Sequence, residues 1–266
     1  MGAQPVVITR PGERGDVLAA AIEARGLPVA RLEALRLEAL PETPEQRAAW
    51  LDFDQFRRVV VVSPFAAECL AEALDRYWPQ LPVGIDYYAV GAATAAALHQ
   101  TLGVRVHVPP AAAGEDTSEA LLQLGSLQRL DGEKILLVAG EGGRTLLAEA
   151  ETLAARGARL TRLAVYRRTP LSPSPDMQRR LARGDFRALV VSSGEILEHL
   201  ARWCTGAALN QPLIVSSARL ATLAGKLGFR APVVASGATP TALTTALAAA
   251  CHSQEADVDQ DDLEKG

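Results

Sequence analysis

Short runs of Val, Ile and Leu recur along the chain, each followed by a turn of small or polar residues and then by a segment whose apolar residues repeat at helical spacing. A continuous apolar run marks a strand buried on both faces, and its alternation with helical segments marks βα units around a parallel sheet. The runs are Val6-Val7-Ile8, Val59-Val60-Val61-Val62, Tyr87-Tyr88-Ala89-Val90, Ile135-Leu136-Leu137-Val138, Ala188-Leu189-Val190-Val191 and Leu213-Ile214-Val215. Helices are expected over Gly15–Arg25, Ala66–Tyr77, Ala92–Leu102, Thr145–Arg156, Ile196–Trp203 and Ala218–Leu227, with further short strands over Arg105–Val108 and Ala231–Ala235. The fold class is α/β.

The order of these elements repeats. Gly26 in Ala24-Arg25-Gly26 corresponds to Gly157 in Ala155-Arg156-Gly157, Ser63 after its Val run to Ser192 after its own, and Gly103 in Leu102-Gly103 to Gly228 in Leu227-Gly228. The separations drift slowly, from 131 to 129 to 125 positions. Matches in the same order make residues 6–125 and 135–250 two copies of one plan. In each copy the first helix ends at a glycine, a common helix stop. A segment of period-2 alternation follows, Pro28–Leu37 in the first copy and Arg159–Arg168 in the second. Such segments are two-sided strands, and their pairing would make a ladder joining two lobes, with a ligand cleft between them. Pro-rich stretches, Leu40–Pro44 and Thr169–Pro175, follow both segments and are read as the places where the chain crosses from lobe to lobe.

With 266 residues the chain has room for two such units. Aromatics are only 5% of the sequence, so the core must be aliphatic and base-stacking platforms are disfavoured. Lys and Arg number 27 against 31 Asp and Glu, a formal charge of −4 without the basic face that nucleic-acid binding needs. Part of that acidity lies beyond His252, in Glu255, Asp257, Asp259, Asp261, Asp262 and Glu264, a tail expected to be disordered. Cys69, Cys204 and Cys251 are odd in number and lack metal-ligand spacing, which argues against a disulfide framework and a zinc site and fits a reducing cytoplasm. Neither a signal peptide nor a run of roughly 20 apolar residues is present, so a soluble protein is expected.

Candidate chemistry lies in the loops after the strands, where doubly wound sheets bind ligands. They include Thr9-Arg10-Pro11-Gly12, Ser63-Pro64-Phe65, Gly91-Ala92-Ala93-Thr94, Gly140-Glu141-Gly142-Gly143-Arg144, Ser192-Ser193-Gly194 and Thr239-Pro240-Thr241. Each opens a helix, so free N–H groups and a positive dipole end suit an anion, although Ser and Thr there also serve as ordinary helix caps. The spacing GxGxxG, a P-loop and a GxSxG elbow are all missing, and the four histidines stand singly. A nucleotide cofactor, a Ser-His-Asp hydrolase and a metalloenzyme are therefore disfavoured. Tyr166 is the exception among these loops and strands: near the end of the second extended segment, its phenol could donate a proton, or it is simply a half-buried strand aromatic.

In order and spacing, the chain resembles the uroporphyrinogen-III synthase family over about residues 5–250. The carriers are Val7-Ile8-Thr9-Arg10-Pro11, Val62-Ser63-Pro64-Phe65-Ala66-Ala67, Ala89-Val90-Gly91-Ala92-Ala93-Thr94-Ala95, Gly140-Glu141-Gly142-Gly143-Arg144, Val165-Tyr166-Arg167-Arg168-Thr169, Ser217-Ala218-Arg219 and Ala238-Thr239-Pro240-Thr241. The resemblance implies two similar flavodoxin-like, internally duplicated parallel-sheet lobes joined by a two-stranded β ladder. One lobe would be residues 1–36 plus 171–251, the other 37–170, with 252–266 the acidic tail. It implies cyclisation of hydroxymethylbilane to uroporphyrinogen III, with loss of water and inversion of ring D through azafulvene and spiro intermediates. No cofactor or metal takes part in that chemistry.

Carried over by position, Tyr166 would assist departure of the hydroxyl, and Thr94 and Thr239 would line the cleft. Ser63, Ser193, Gly91 and Gly194 would add hydrogen bonds, and Arg10 and Arg144 would meet carboxylates. Phe65 departs from the Asn common in the family, and Ser193-Gly194 lacks the usual Pro. The implied partner is the tetrapyrrole substrate, handed over by the preceding pathway enzyme, to a cytoplasmic monomer without nucleic-acid or membrane partners. The alternative is a non-catalytic two-lobed binding or sensor protein for a small anionic ligand.

Overall fold

The computed structural model describes residues 3–109, 118–142 and 144–263, the side chains of 13, 118, 144–149 and 252–263 excepted. The chain divides into two compact units, Met1–Arg36 with Pro170–Gly266, and Leu37–Thr169. It begins with β1 (Val6–Ile8), α1 (Gly12–Glu23) and β2 (Val29–Arg31), then continues through β3 (Leu35–Ala39), α2 (Pro44–Leu51), β4 (Arg58–Val61) and α3 (Pro64–Tyr77). Next come β5 (Asp86–Ala89), α4 (Ala92–Leu102), β6 (Val106–His107), α5 (Ser118–Leu122), β7 (Lys134–Gly140), α6 (Arg144–Ala155) and β8 (Arg159–Pro170). The last stretch is α7 (Pro175–Arg183), β9 (Ala188–Val191), α8 (Gly194–Ala201), α9 (Gly206–Asn210), β10 (Leu213–Val215), α10 (Ala218–Lys226), β11 (Pro232–Val234) and α11 (Pro240–Leu263).

In the first unit the strands lie in the order β11-β10-β9-β1-β2, every pairing parallel. Counted along the unit this is 2-1-3-4-5, the flavodoxin-like doubly wound order. The apolar runs are continuous because successive residues enter different cores. Val6 and Ile8 pack with Leu18, Ile22, Leu243 and Leu247, whereas Val7 packs with Leu181, Leu197, Leu200 and Leu220. In the second unit the order is β3-β8-β7-β4-β5-β6, and β4, β5, β6, β7 and β8 pair in parallel. Val59, Val61, Leu136 and Val138 face one core, and Val60, Tyr88, Ile135 and Leu137 the other. Each of these fully buried aliphatic side chains is worth roughly 1.5–3 kcal/mol of transfer free energy, so the sheets rest on packing.

One expectation is corrected. The segment Pro28–Leu37 is not one strand: β2 makes its last parallel rung with Leu32 N–H donating to Ile8 C=O at 2.9 Å, and β3 then pairs with β8. The bonds Leu40 N–H to Val165 C=O and Leu171 N–H to Ala34 C=O, both 2.9 Å, run in opposite senses along the two segments, so this pairing is antiparallel. Alternation specifies a face but not a ladder partner, which is why the break was invisible. The Pro-rich stretches also start helices. Pro44 is the first residue of α2 behind a Thr43–Gln46 capping box, and Pro175 the first of α7 behind the Ser174 cap, a position where the missing N–H costs nothing. At the C-terminal end, α11 spans Pro240–Leu263. Its start is anchored by buried Leu243 and Leu247, and extending an existing helix is far easier than nucleating one. Among the described residues no helix is long and apolar enough to cross a membrane.

Candidate active site

In the second unit, the end of β4 runs through Val62 into Ser63, whose hydroxyl accepts from the Ala66 N–H at 3.2 Å and so caps α3. The same hydroxyl donates to the phenol oxygen of Tyr166 at 3.1 Å, across 103 positions of sequence. Tyr166 belongs to β8, and β7 lies between β8 and β4, so the two side chains and the bond between them together cross two strand spacings, about 9.6 Å. Two local features allow it. The β7–β8 register shifts after Ala139, which pairs with Ala164, so that Gly140 pairs with Tyr166 and Val165 is the extra residue of a bulge. A bulge resets the side-chain phase, and Val165 and Tyr166 are accordingly buried in succession. The ring then lies against Gly140: a Cβ there would sit 2.5 Å from the ring carbon Cζ. Only glycine leaves that space.

The Phe65 ring meets Tyr166 edge to face, with centroids 5.2 Å apart and planes at 86°. Arg168, two residues along β8 and exposed, reaches back with its guanidinium 5.8 Å from the Tyr166 ring centre and donates from Nη2 to the phenol oxygen at 3.3 Å. The phenol oxygen therefore accepts from Ser63 and from Arg168, which leaves its own O–H proton to be given elsewhere. The ring is 2% exposed, more deeply buried than the half-buried strand aromatic of the sequence reading, because bulge and glycine turn it inward. Gly140, Phe65 and Arg168 were not among the expected site residues. All three sit in motifs noted in the sequence, but nothing in a linear pattern says which neighbour a tyrosine will touch.

The other expected residues are distributed between the two units. In the second, Gly91 is the N-cap of α4 and Thr94 is buried in its first turn, making no side-chain hydrogen bond among the described residues. Arg144 opens α6, but its side chain and all of Gly143 lie outside the described residues. In the first unit, Arg10 is half-buried and donates to the Ala238 C=O at 2.5 Å, tying the loop after β1 to the loop before α11. Burial, and then Arg14 beside it, push its guanidinium below the usual value. Thr239 accepts from the Ala242 N–H at 3.2 Å as the cap of α11. Ser193 is the N-cap residue of α8 without using its hydroxyl for capping, and Gly194 opens that helix. Ser63 and Tyr166 are thus brought together, whereas Thr94 bonds to neither. The cysteines stay outside this chemistry: burial pushes the Cys204 thiol up to about 12, and burial with Glu72 and Glu68 pushes Cys69 up to about 11, far from a reactive thiolate.

Parallel sheets with hydroxyl and amide donors at the strand ends, and one buried tyrosine among them, define an α/β protein suited to binding an anionic small molecule. Residues 16–245 match the family described as uroporphyrinogen-III synthase HemD. The chain is 33% identical over 256 residues to the uroporphyrinogen-III synthase of Escherichia coli K12, covering 91% of this chain and 99% of that one. It is 34% identical over 253 residues to that of Salmonella typhimurium LT2, with the same coverage. In structure it resembles uroporphyrinogen-III synthetase from Helicobacter pylori 26695, with a TM-score of 0.61 at 15% identity over 91% of this chain and 97% of that one, a likeness of fold. The chain belongs to the uroporphyrinogen-III synthase family, and it is a cyclising lyase.

Proposed function

We propose that the chain closes hydroxymethylbilane to uroporphyrinogen III with Tyr166 as the proton donor to the departing hydroxyl. The observation that supports this reading is the phenol oxygen of Tyr166 held by Ser63 and Arg168 at the strand ends, with its O–H proton left to give. Pyrrole nitrogen lone pairs expel the hydroxyl as water, so acid assistance need only be modest. The larger task is to hold the linear chain so that the azafulvene is attacked at the substituted carbon of ring D, and orientation supplies that. The acetates and propionates of the substrate are met by the Ser193 hydroxyl, Thr94, the α4 and α8 helix starts at Gly91 and Gly194, and the Arg10 and Arg144 guanidinia. Thr239 orders the loop that Arg10 holds.

The two units are, in this reading, copies of one plan linked by the β3–β8 ladder. Strand order supports it: taken in the sequence β7, β8, β4, β5, β6, the second unit also reads 2-1-3-4-5. The enzyme works as a cytoplasmic monomer on substrate handed over by the preceding pathway enzyme. Freshly generated hydroxymethylbilane is the assay, because spontaneous closure gives isomer I and the enzyme isomer III. Tyr166→Phe is expected to lower isomer III turnover by roughly tenfold or more, the scale of a lost general acid. Wild-type turnover in that variant would remove Tyr166 from the mechanism, and isomer I alone from the wild-type protein would make it a binding protein.

A further inference from the structure

The geometry points to Arg168 as the positioning residue of the Tyr166 phenol, acting on the reaction only through that oxygen. The inference rests on the reading of Tyr166 as proton donor and adds the group that makes the donor work. Arg167 and Arg168 are adjacent, exposed and chemically identical, yet the fold uses them differently. Arg167 donates from Nε to Glu38 at 3.2 Å and is an ordinary surface ion pair. Arg168 has no carboxylate within ion-pair distance among the described residues, and its hydrogen bond runs to the phenol oxygen of Tyr166, with its guanidinium near the same ring. Among the described residues, then, a cation without a counter-anion faces an oxygen that becomes an anion when it gives up its proton.

The proton balance follows from this placement. As the C–O bond of the hydroxymethyl group breaks, the Tyr166 proton goes to the leaving oxygen and water departs. The pyrrole nitrogen lone pair becomes the new double bond of the azafulvenium, and the phenol is left as phenolate. Arg168 and the Ser63 hydroxyl hold that charge through two hydrogen bonds, charge-assisted ones being the stronger kind. After ring closure the proton released from the pyrrole carbon returns to the phenolate. Arg168 gains its interaction in the charged state and hardly at all with bound substrate, so it acts on kcat and not on KM.

A double-mutant cycle with isomer III formation as the readout tests this. Arg168→Leu is expected to lower kcat about tenfold, the scale of one hydrogen bond to a charged group, with KM within about twofold of wild type. Arg168→Lys should recover part of the loss, because it keeps the charge but not the planar fork. In a Tyr166→Phe background, Arg168→Leu should cost nothing further, since the oxygen it serves is gone. Arg167→Leu, on the neighbouring exposed side chain, should be as active as wild type, and unchanged melting temperatures check that each variant folds. A raised KM with unchanged kcat would make Arg168 a carboxylate binder and overturn the inference, as would losses that multiply in the double variant, or a fully active Arg168→Leu. If Tyr166→Phe alone is fully active, the underlying reading of Tyr166 fails and this inference goes with it; a deficient Tyr166→Phe beside an active Arg168→Leu sinks this inference alone.

Discussion

Two serines stand between a strand and a helix, Ser63 after β4 in the second unit and Ser193 after β9 in the first, each at the N-cap of that helix. Ser63 is fully committed: it accepts from the Ala66 N–H and donates to Tyr166. Ser193 makes no capping bond with its side chain, and in the proposed function its hydroxyl is left to meet the substrate. The glycines differ in the same sense. Gly140 is required because the Tyr166 ring occupies the place of its Cβ, whereas a Cβ on Gly194 would meet nothing nearer than Leu223 Cδ2 at an ordinary 3.4 Å. The second unit therefore spends its turn residues on orienting one tyrosine, and the first leaves its turn open. Two strand-to-helix turns of the same kind thus differ in what their serine and glycine contact.

The strongest way to break that contrast is at the glycines. Gly140→Ala should cost about 1–3 kcal/mol, the range for forcing extra volume into a packed site, and it should displace Tyr166 and reduce isomer III turnover. Gly194→Ala should stay within about 0.5 kcal/mol, as surface changes away from special geometry do. Denaturant melts of the two variants decide it, and equal losses would refute the asymmetry. Next come the serines. Ser63→Ala should lose about 1 kcal/mol from the missing cap, whereas Ser193→Ala should melt as wild type and show its effect in a higher KM. A Ser193 variant destabilised as much as the Ser63 one would mean that its hydroxyl is structural after all. Thr239→Ala removes the α11 cap and should cost about 0.5–2 kcal/mol, read as a lower midpoint in urea, while an unshifted midpoint would mean that the cap contributes nothing.

The smallest effect appears only in alkali. Burial pushes the Cys204 thiol in the first unit and the Tyr87 phenol in the second up to about 12, from ordinary values of 9.0 and 10.0. Each is held neutral in the fold and loses its proton more readily when unfolded. Their contribution is complete below pH 9 and is lost as pH rises toward 12. The melting temperature should accordingly fall over that window, and less steeply in Cys204→Ala or Tyr87→Phe. A slope that neither variant changes would locate the alkaline sensitivity elsewhere.

Much of the sheet was legible in the chain because two-sided burial leaves no room for polar residues. Val6-Val7-Ile8, Ala188–Val191 and Leu213–Val215 are strands with the boundaries their apolar runs suggest, and Ala92–Leu102 is a helix from end to end. Elements whose start depends on a cap were hidden. In α2 and α7 a proline that reads as a breaker is the first helical residue, since its missing N–H is an orphan there in any case. In the candidate site, Ser63 and Tyr166 were each visible as residues capable of hydrogen bonding, but their bond was not, because it depends on a one-residue bulge that no alternation pattern encodes.

The sequence by itself determined which residues are buried in sheets, where strands give way to helices, and which loops carry hydroxyls and amides, since all of these follow from local periodicity and side-chain chemistry. Only the tertiary structure decided that Pro28–Leu37 splits between two ladders, that Tyr166 turns inward over Gly140, and that Arg168 rather than Arg167 meets the phenol. Those outcomes depend on strand order and register: β3 finds its partner β8 more than a hundred positions away, and the one-residue bulge at Val165 sets where Tyr166 and the arginines after it point, neither of which a residue's own neighbours in sequence encode.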